Sequence, residues 1–395
     1  LPQGWEVKKF EEIANIKGGK RLPKGENLLD NNTKFTYIRV ADFQDNGTIN
    51  LQNIKFINEN TYNVLKNYKI YDDNLYISIA GTIGKSGIIP KELNGAILTE
   101  NAVKLEYIQN NISNKFMYFF TLSNIFKTQI QTSTKIVAQP KLAITRLKQI
   151  QIPLPPLKEQ ERIVGILDES FAKIDESIKI LEQNLLNLDE LMQSALQKAF
   201  NPLKDNAKEN YKLPQGWEWK SLEEISENIS AGGDKPKNCT ESKTAKNQIP
   251  VYANGVNNNG LVGYTDKATI IKPSLTISAR GTIGFVCIRK EPYFPIVRLI
   301  SLIPCENILC LHYLYFCLNF FIAKGEGSSI PQLTIPKFKS LQIPLPPLKE
   351  QEQIAKHLDF VFEKTKALKE LYTKELKDYE ELKQSLLNKA FKGEL

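Results

Sequence analysis

The chain reads as an α+β protein built twice: two globular α+β domains separated by a long antiparallel coiled coil of two helices, with a pseudo-twofold internal repeat. Three observations predict this. Blocks of sequence recur unchanged, two long runs carry the spacing of a coiled-coil seam, and the stretches between them mix short β-type runs with one aromatic helix each.

The repeats come first. LPQGWE at Leu1 to Glu6 returns at Leu213 to Glu218, and QIPLPPLKEQE at Gln151 to Glu161 returns at Gln342 to Glu352. GTIG at Gly81 to Gly84 recurs as Gly281 to Gly284, and Lys198, Ala199, Phe200 recur as Lys389, Ala390, Phe391. Tyr118, Phe119, Phe120 and Leu122 pair with Leu314, Tyr315, Phe316 and Leu318. Counterparts lie progressively closer along the chain, as they would if the second copy were the same fold with shorter surface loops. The segments are 1–150 (first domain), 151–200 (proline linker and first long helix), 201–212 (polar linker), 213–341 (second domain) and 342–395 (second linker and helix).

Three prolines in Ile152 to Pro156 forbid helix and favour extended chain. From Leu157 to Phe200 there is no proline and a single glycine, Gly165. A helix over that run would be about 66 Å long. Val164, Leu167, Phe171, Ile174, Ile178, Leu181, Leu185, Leu188, Met192, Ala195 and Ala199 alternate steps of three and four, a seam that cannot stay in water. The second run shows a rougher stripe with one irregular step: Leu358, Val361, Thr365, Leu368, Tyr372, Leu376, Tyr379, Leu382, Leu386 and Ala390. Two helices of equal length joined by a whole domain are natural antiparallel partners, and such a pair would carry the domains to its opposite ends.

Within the domains, Phe35 to Val40 and Leu75 to Ile79 have strand character. The apolar stretch Ile308 to Ala323, interrupted by His312 and Asn319, is shorter than the about 20 residues a membrane span needs, so it reads as a core helix and no membrane is expected. The 52 Lys and Arg against 44 Asp and Glu give a net charge of +8, which suits an anionic partner without matching the basicity of a histone-like protein. Five cysteines without a CxxC pair, in a chain with no signal peptide at its start, point to reduced thiols in the cytoplasm. Cys305, Cys310, His312 and Cys317 match no common zinc spacing and read as core cysteines, so no metal is expected.

No catalytic residues are expected. AGTIGKSG at Ala80 to Gly87 lacks glycine at Ile79, where a Walker A loop needs it, and its repeat GTIGFV lacks the lysine, so GTIG reads as a strand-end turn built twice. There is no glycine-rich dinucleotide loop and no Asn/Asp-Pro-Pro-aromatic tetrapeptide. The two histidines, His312 and His357, have no nucleophile or carboxylate partner at matching positions of both copies.

With the LPQGW entry to each domain, GTIG in each, IPQLT (Ile330 to Thr334) ahead of PLPPLKEQ, and the long helices, the whole chain resembles a specificity subunit of a type I restriction-modification system. The first domain departs from the pattern, with AQPKL in place of IPQLT. The resemblance implies two target-recognition domains, each reading half of a bipartite site on double-stranded DNA, with helices that set the gap and dock DNA methyltransferase subunits, usually two. A restriction or translocase subunit can join. S-adenosylmethionine and ATP would sit on those partners, leaving no cofactor here, and flipping of the target adenine would be the partner's task. Two other readings stay open: a non-DNA coiled-coil scaffold, and the recognition part of a fused methyltransferase-nuclease.

Phosphates need cations and bases need groove-borne donors and acceptors. Candidate DNA contacts are Lys17, Lys20, Arg21, Lys24, Arg39, Lys135 and Arg146 in the first domain. In the second they are Lys235, Lys237, Asn257, Asn258, Asn259, Arg280, Lys324 and Ser329. Lys158, Glu159, Arg162, Lys349 and Glu350 flank the motif retained twice, surface residues included, and are candidates for partner docking.

Overall fold

The computed structural model describes residues 1–133, 141–200, 213–322, 325–326 and 333–395. Contacts divide the chain into two compact units, Leu1–Leu181 with Thr373–Leu395, and Glu182–Tyr372. The division falls inside the long helices rather than at the domain linkers, so each unit holds one α+β domain and a length of both helices.

In the first unit, strands Ala14–Gly18, Ala102–Tyr107, Leu75–Ser78 and Ser86–Ile88 form an antiparallel sheet in that order. A second sheet orders Lys55–Phe56, Thr36–Ile38, Ala96–Leu98 and Lys69–Ile70, its central pair parallel. The second unit repeats the plan with Ser226–Ala231, Ile300–Pro304, Ser274–Ile277 and Val286–Arg289. Beside it lie Leu261–Thr265, Ile249–Tyr252 and Phe294–Pro295, the last two parallel.

The sequence repeats at the borders of each domain find one another. Strand Glu6–Lys9 pairs antiparallel with Gln151–Leu154, and Glu218–Ser221 pairs with Gln342–Leu345 in the same register. Proline sits in the second strand of each pair, where a two-stranded ladder leaves an outer edge that needs no donor.

Inside each domain a short aromatic helix, Asn114–Leu122 or Leu311–Phe321, packs on the sheet. Its contacts correct the pairing drawn from sequence by one residue. Phe119 meets Phe171 edge-on at 5.5 Å, and Phe316 meets Phe362 at 5.1 Å, so Phe119 corresponds to Phe316 and Phe116 to Tyr313. Aromatic residues at neighbouring positions on both helices hid the slip.

Both long helices form as expected, Leu157–Phe200 and Leu348–Lys392. In the first unit Arg162 donates to the Leu395 carbonyl at 2.8 Å, while Asp175, further along, meets Lys383 at 2.5 Å. As one helix advances the other recedes, so they run antiparallel. In the second unit Asp189 pairs with Lys369, and Ala199 and Lys198 lie by Ile354, His357 and Leu358, again antiparallel.

The seam of the first helix holds, with Leu167, Ile174, Leu181 and Leu188 buried. That of the second is more regular than its hydrophobic pattern suggested. Leu368 and Leu382, expected on it, are 39% and 45% exposed. Lys369 and Lys383 take those places, only 27% and 18% exposed, and Phe362 rather than Val361 packs on the domain core. No irregular step remains. The lysine stems line the seam while the ammonium groups reach Asp189 and Asp175.

The last turn of each long helix closes a core. Phe391 is buried against Phe116 and Phe120 of the first domain, and Phe200 against Tyr313 of the second. The repeated Lys-Ala-Phe triplet marks these two plugs.

Among the cysteines only Cys317 is buried, where burial pushes its thiol well up; Cys287, Cys305 and Cys310 are half-buried, less interior than expected. His312 holds Asp359 through Nδ1 at 2.8 Å, the place taken in the first copy by Lys115 and Asp168 at 2.5 Å. The histidine thus does have a carboxylate partner, matched in the other copy by an ion pair. Among the described residues there is no cluster of three or more metal-ligating side chains, and no helix is long and apolar enough to cross a membrane.

Candidate DNA-reading face

Each domain gathers three backbone segments into one exposed lip where its two sheets meet. In the first domain the chain leaves strand Ala14–Gly18 and crosses so closely that a Cβ on Gly19 would lie 2.1 Å from the Thr99 carbonyl oxygen. Only glycine fits there. Gly19 donates to the Ala102 carbonyl at 3.0 Å and Lys20 to Leu98 at 2.9 Å. The Asn101 carbonyl accepts from Ile79, the stem of the GTIG turn, at 2.8 Å, and the Ile79 carbonyl accepts from Leu142 at 2.8 Å.

GTIG itself is the expected turn. Gly81 and Gly84 have φ of +74° and +87°, Gly281 and Gly284 of +69° and +80°. Its stem residue, Ser78 or Ser278, accepts the amide of Gly84 or Gly284 at 2.9 and 3.0 Å. A turn held this way by its own backbone presents its tip outward, and Gly81, Thr82, Arg280 and Gly281 are exposed.

The second domain builds the same lip from different residues. A Cβ on Gly232 would lie 2.6 Å from the Ile296 nitrogen, and Gly232 donates to Leu299 at 2.8 Å. Where Asn101 met Ile79 directly, the side chain of Asn254 now bridges: its Oδ1 accepts from Ala279 at 2.8 Å and its Nδ2 donates to the Val297 carbonyl at 2.6 Å.

Several sequence-nominated cations come together on the first lip. Lys17 pairs with Glu106 at 2.5 Å, Lys20 lies over the Tyr68 ring at 5.8 Å, and Arg21, 80% exposed, is braced by Glu100 at 2.8 Å. Burial works to raise both carboxyls, but the hydrogen bonds of Arg21 and Thr99 to Glu100, and of Lys104 and Lys17 to Glu106, outweigh it and hold both below the ordinary range. Arg146 stands exposed on Ile144–Leu147, whose Ile144 packs under Gly18, and Lys24 is exposed beyond. Arg39 is half-buried, with Asp42, itself 1% exposed, and the Asn53 carbonyl holding its guanidinium.

In the second domain Lys235 and Lys237 are exposed beside Gly233. Asn257, Asn258 and Asn259 form an exposed turn with φ of +48° and +52° at the last two. Arg289, buried and stacked 3.6 Å over Tyr252, holds that turn through the Asn259 carbonyl at 2.5 Å. Lys135, Lys324 and Ser329 lie outside the described residues. Sequence reading missed Arg289 and Asn254; the Asn254-Gly255 dipeptide was the available sign of a turn.

On the docking candidates, Lys158 and Lys349 are exposed, Glu159 and Arg162 pair with each other at 2.8 Å, and Glu350 lies by Ala195 and His357. The glutamine of the same motif is interior. Gln160 is 1% exposed; it accepts from the Ser113 amide at 2.8 Å and donates to the Asn111 and Pro155 carbonyls at 3.1 and 2.9 Å. Gln351 repeats all three bonds with Cys310, Ile308 and Pro346. Part of the motif's retention is therefore structural, where surface docking had been the expectation.

Two copies of one domain, each bearing its own exposed polar lip of different residues, define a two-headed recognition protein. The chain belongs to the family of type I restriction modification DNA specificity domains, whose model matches residues 2–186 and 214–378. It is 30% identical over 353 residues to a protein of Mycoplasma pneumoniae named as a type I specificity subunit, covering 89% of this chain and 87% of that one. A Methanocaldococcus jannaschii protein named as the MjaX specificity subunit is 24% identical over 420 residues, covering 100% and 94%. The fold matches that of a chain solved in work on complex assembly and conformational transition of the type I restriction-modification system, with a TM-score of 0.81 at 20% identity over 100% and 99% of the chains. It also matches the HsdS subunit of Thermoanaerobacter tengcongensis, at 0.61 and 21% over 100% and 98%.

Proposed function

We propose that this chain is the non-catalytic DNA-reading subunit of an adenine-specific methyltransferase complex, each domain reading one half of a split, asymmetric site. The observation that carries this is the lip built twice on one backbone plan with different side chains, which suits two unlike half-sites. The paired helices fix the number of unread base pairs between the halves, because a stiff spacer keeps two readers in register with the DNA helix. Methyltransferase subunits, two of them, dock on the helices, and a restriction or translocase subunit joins them. Lys158 and Lys349 are candidate contacts there, and Phe360 and Leu371, 59% and 55% exposed on the second long helix, supply apolar area that a protein partner would cover. S-adenosylmethionine and ATP belong to those partners. Free cysteines suit work in the cytoplasm.

The test is to express the chain with methyltransferase subunits and map methylated adenines across a genome. A two-part motif with a fixed gap is expected; a continuous palindrome would refute two independent readers. Binding of the complex to random duplex should also weaken steeply as salt rises.

A further inference from the structure

The second domain contains a stretch of backbone that its fold does not require. Val297 and Arg298 are successive non-glycine residues in the left-handed region, with φ of +53° and +59°. For a β-branched residue this is a costly conformation. The first domain makes the same crossing with Glu100 and Asn101, neither of which has positive φ.

Such strain persists only where the surroundings over-determine it. Here Val297 donates to the Gly233 carbonyl and Arg298 to Gly232, both at 2.8 Å, Leu299 closes the turn on Ile296 at 3.1 Å, and Asn254 ties the Val297 carbonyl to Ala279. All this fixes two exposed side chains that stand outside the domain's core clusters. Val297 is 51% exposed, and the exposed Arg298 guanidinium has no hydrogen bond or ion pair among the described residues.

We infer that the Val297–Arg298 turn is the base-reading tip of the second domain, with Arg298 taking a guanine through its O6 and N7 atoms. A phosphate contact needs only a cation on a flexible stem, which Lys235 and Lys237 already provide. A planar fork on a locked backbone is what two directional bonds to one base edge require. The inference rests on the DNA-reading function proposed above and names the residue that sets one position of one half-site.

Arg298→Asn tests it, because asparagine tolerates the left-handed region and keeps the turn while removing the guanidinium. Val297→Gly is the second variant: it relaxes the backbone rather than burdening it, but loosens the tip. Each is assembled with methyltransferase subunits and its methylated motif mapped beside the wild type. One half of the motif should stay intact, while one guanine in the other half becomes degenerate, discrimination there falling about 10- to 100-fold with Arg298→Asn and less with Val297→Gly. An unchanged motif overturns the inference. So does a uniform drop in methylation with every position still required, the signature of a phosphate contact. A wild-type complex that marks a continuous motif would instead bring down the two-reader function, and this shows before any variant is compared.

Discussion

Gln160 and Gln351 show how little of a repeated motif's meaning lies on its surface. Each side chain is interior and satisfies one amide and two carbonyls at the junction of linker, aromatic helix and long helix. Replacing either by alanine leaves those groups buried without partners, and each change should cost roughly 2–4 kcal/mol, measurable by chemical denaturation. Equal losses in the two copies are expected; a loss confined to one would show that the matched bonds do unequal work. From sequence the motif was visible and the burial was not, because a glutamine between charged residues looks like surface. Arg39 kept its partner hidden for the same reason: nothing in one dimension reveals that Asp42 waits, almost wholly enclosed, beside its guanidinium.

At the scale of elements, the helices, their antiparallel sense and the GTIG turns were all legible, since periodicity and repetition are properties of the string itself. The second seam was only partly so. A search for apolar residues passes over Lys369 and Lys383 and settles on Leu368 and Leu382 one place away. The positions they fill correspond to Ile178 and Met192 of the first helix. Polar groups at seam positions select partner and register at some cost in stability. The double change Lys369→Ile and Lys383→Met should therefore be neutral or stabilising by up to about 2 kcal/mol. It should also let chains associate with one another, which sedimentation would detect. A variant that sediments as the unaltered chain does would show that the lysines do not police pairing. Strand order within the domains was beyond sequence reading, because it is set by long-range pairings such as Thr36–Ile38 with Ala96–Leu98.

For the molecule as a whole, the proposed function turns helix length into base pairs. One heptad added to each long helix lengthens the rod by about 10.5 Å, close to three base pairs at 3.4 Å each. Genome-wide methylation maps should then show both half-sequences retained and the gap wider by about three. A gap that does not change would mean that the helices do not set it.

Phe391 carries a different lesson about how such a chain comes into being. The first domain's own segment closes by residue 150, yet a plug of its interior arrives only with Phe391, after the whole second domain. While the ribosome is still making the rest, that domain waits with a hole among Phe116, Phe120 and their neighbours, worth about 3–5 kcal/mol by the usual toll for an aromatic lost from a core. Its maturation is thus deferred until the second long helix has been made, and a frameshift ahead of Phe391 would wound the part that was synthesised first.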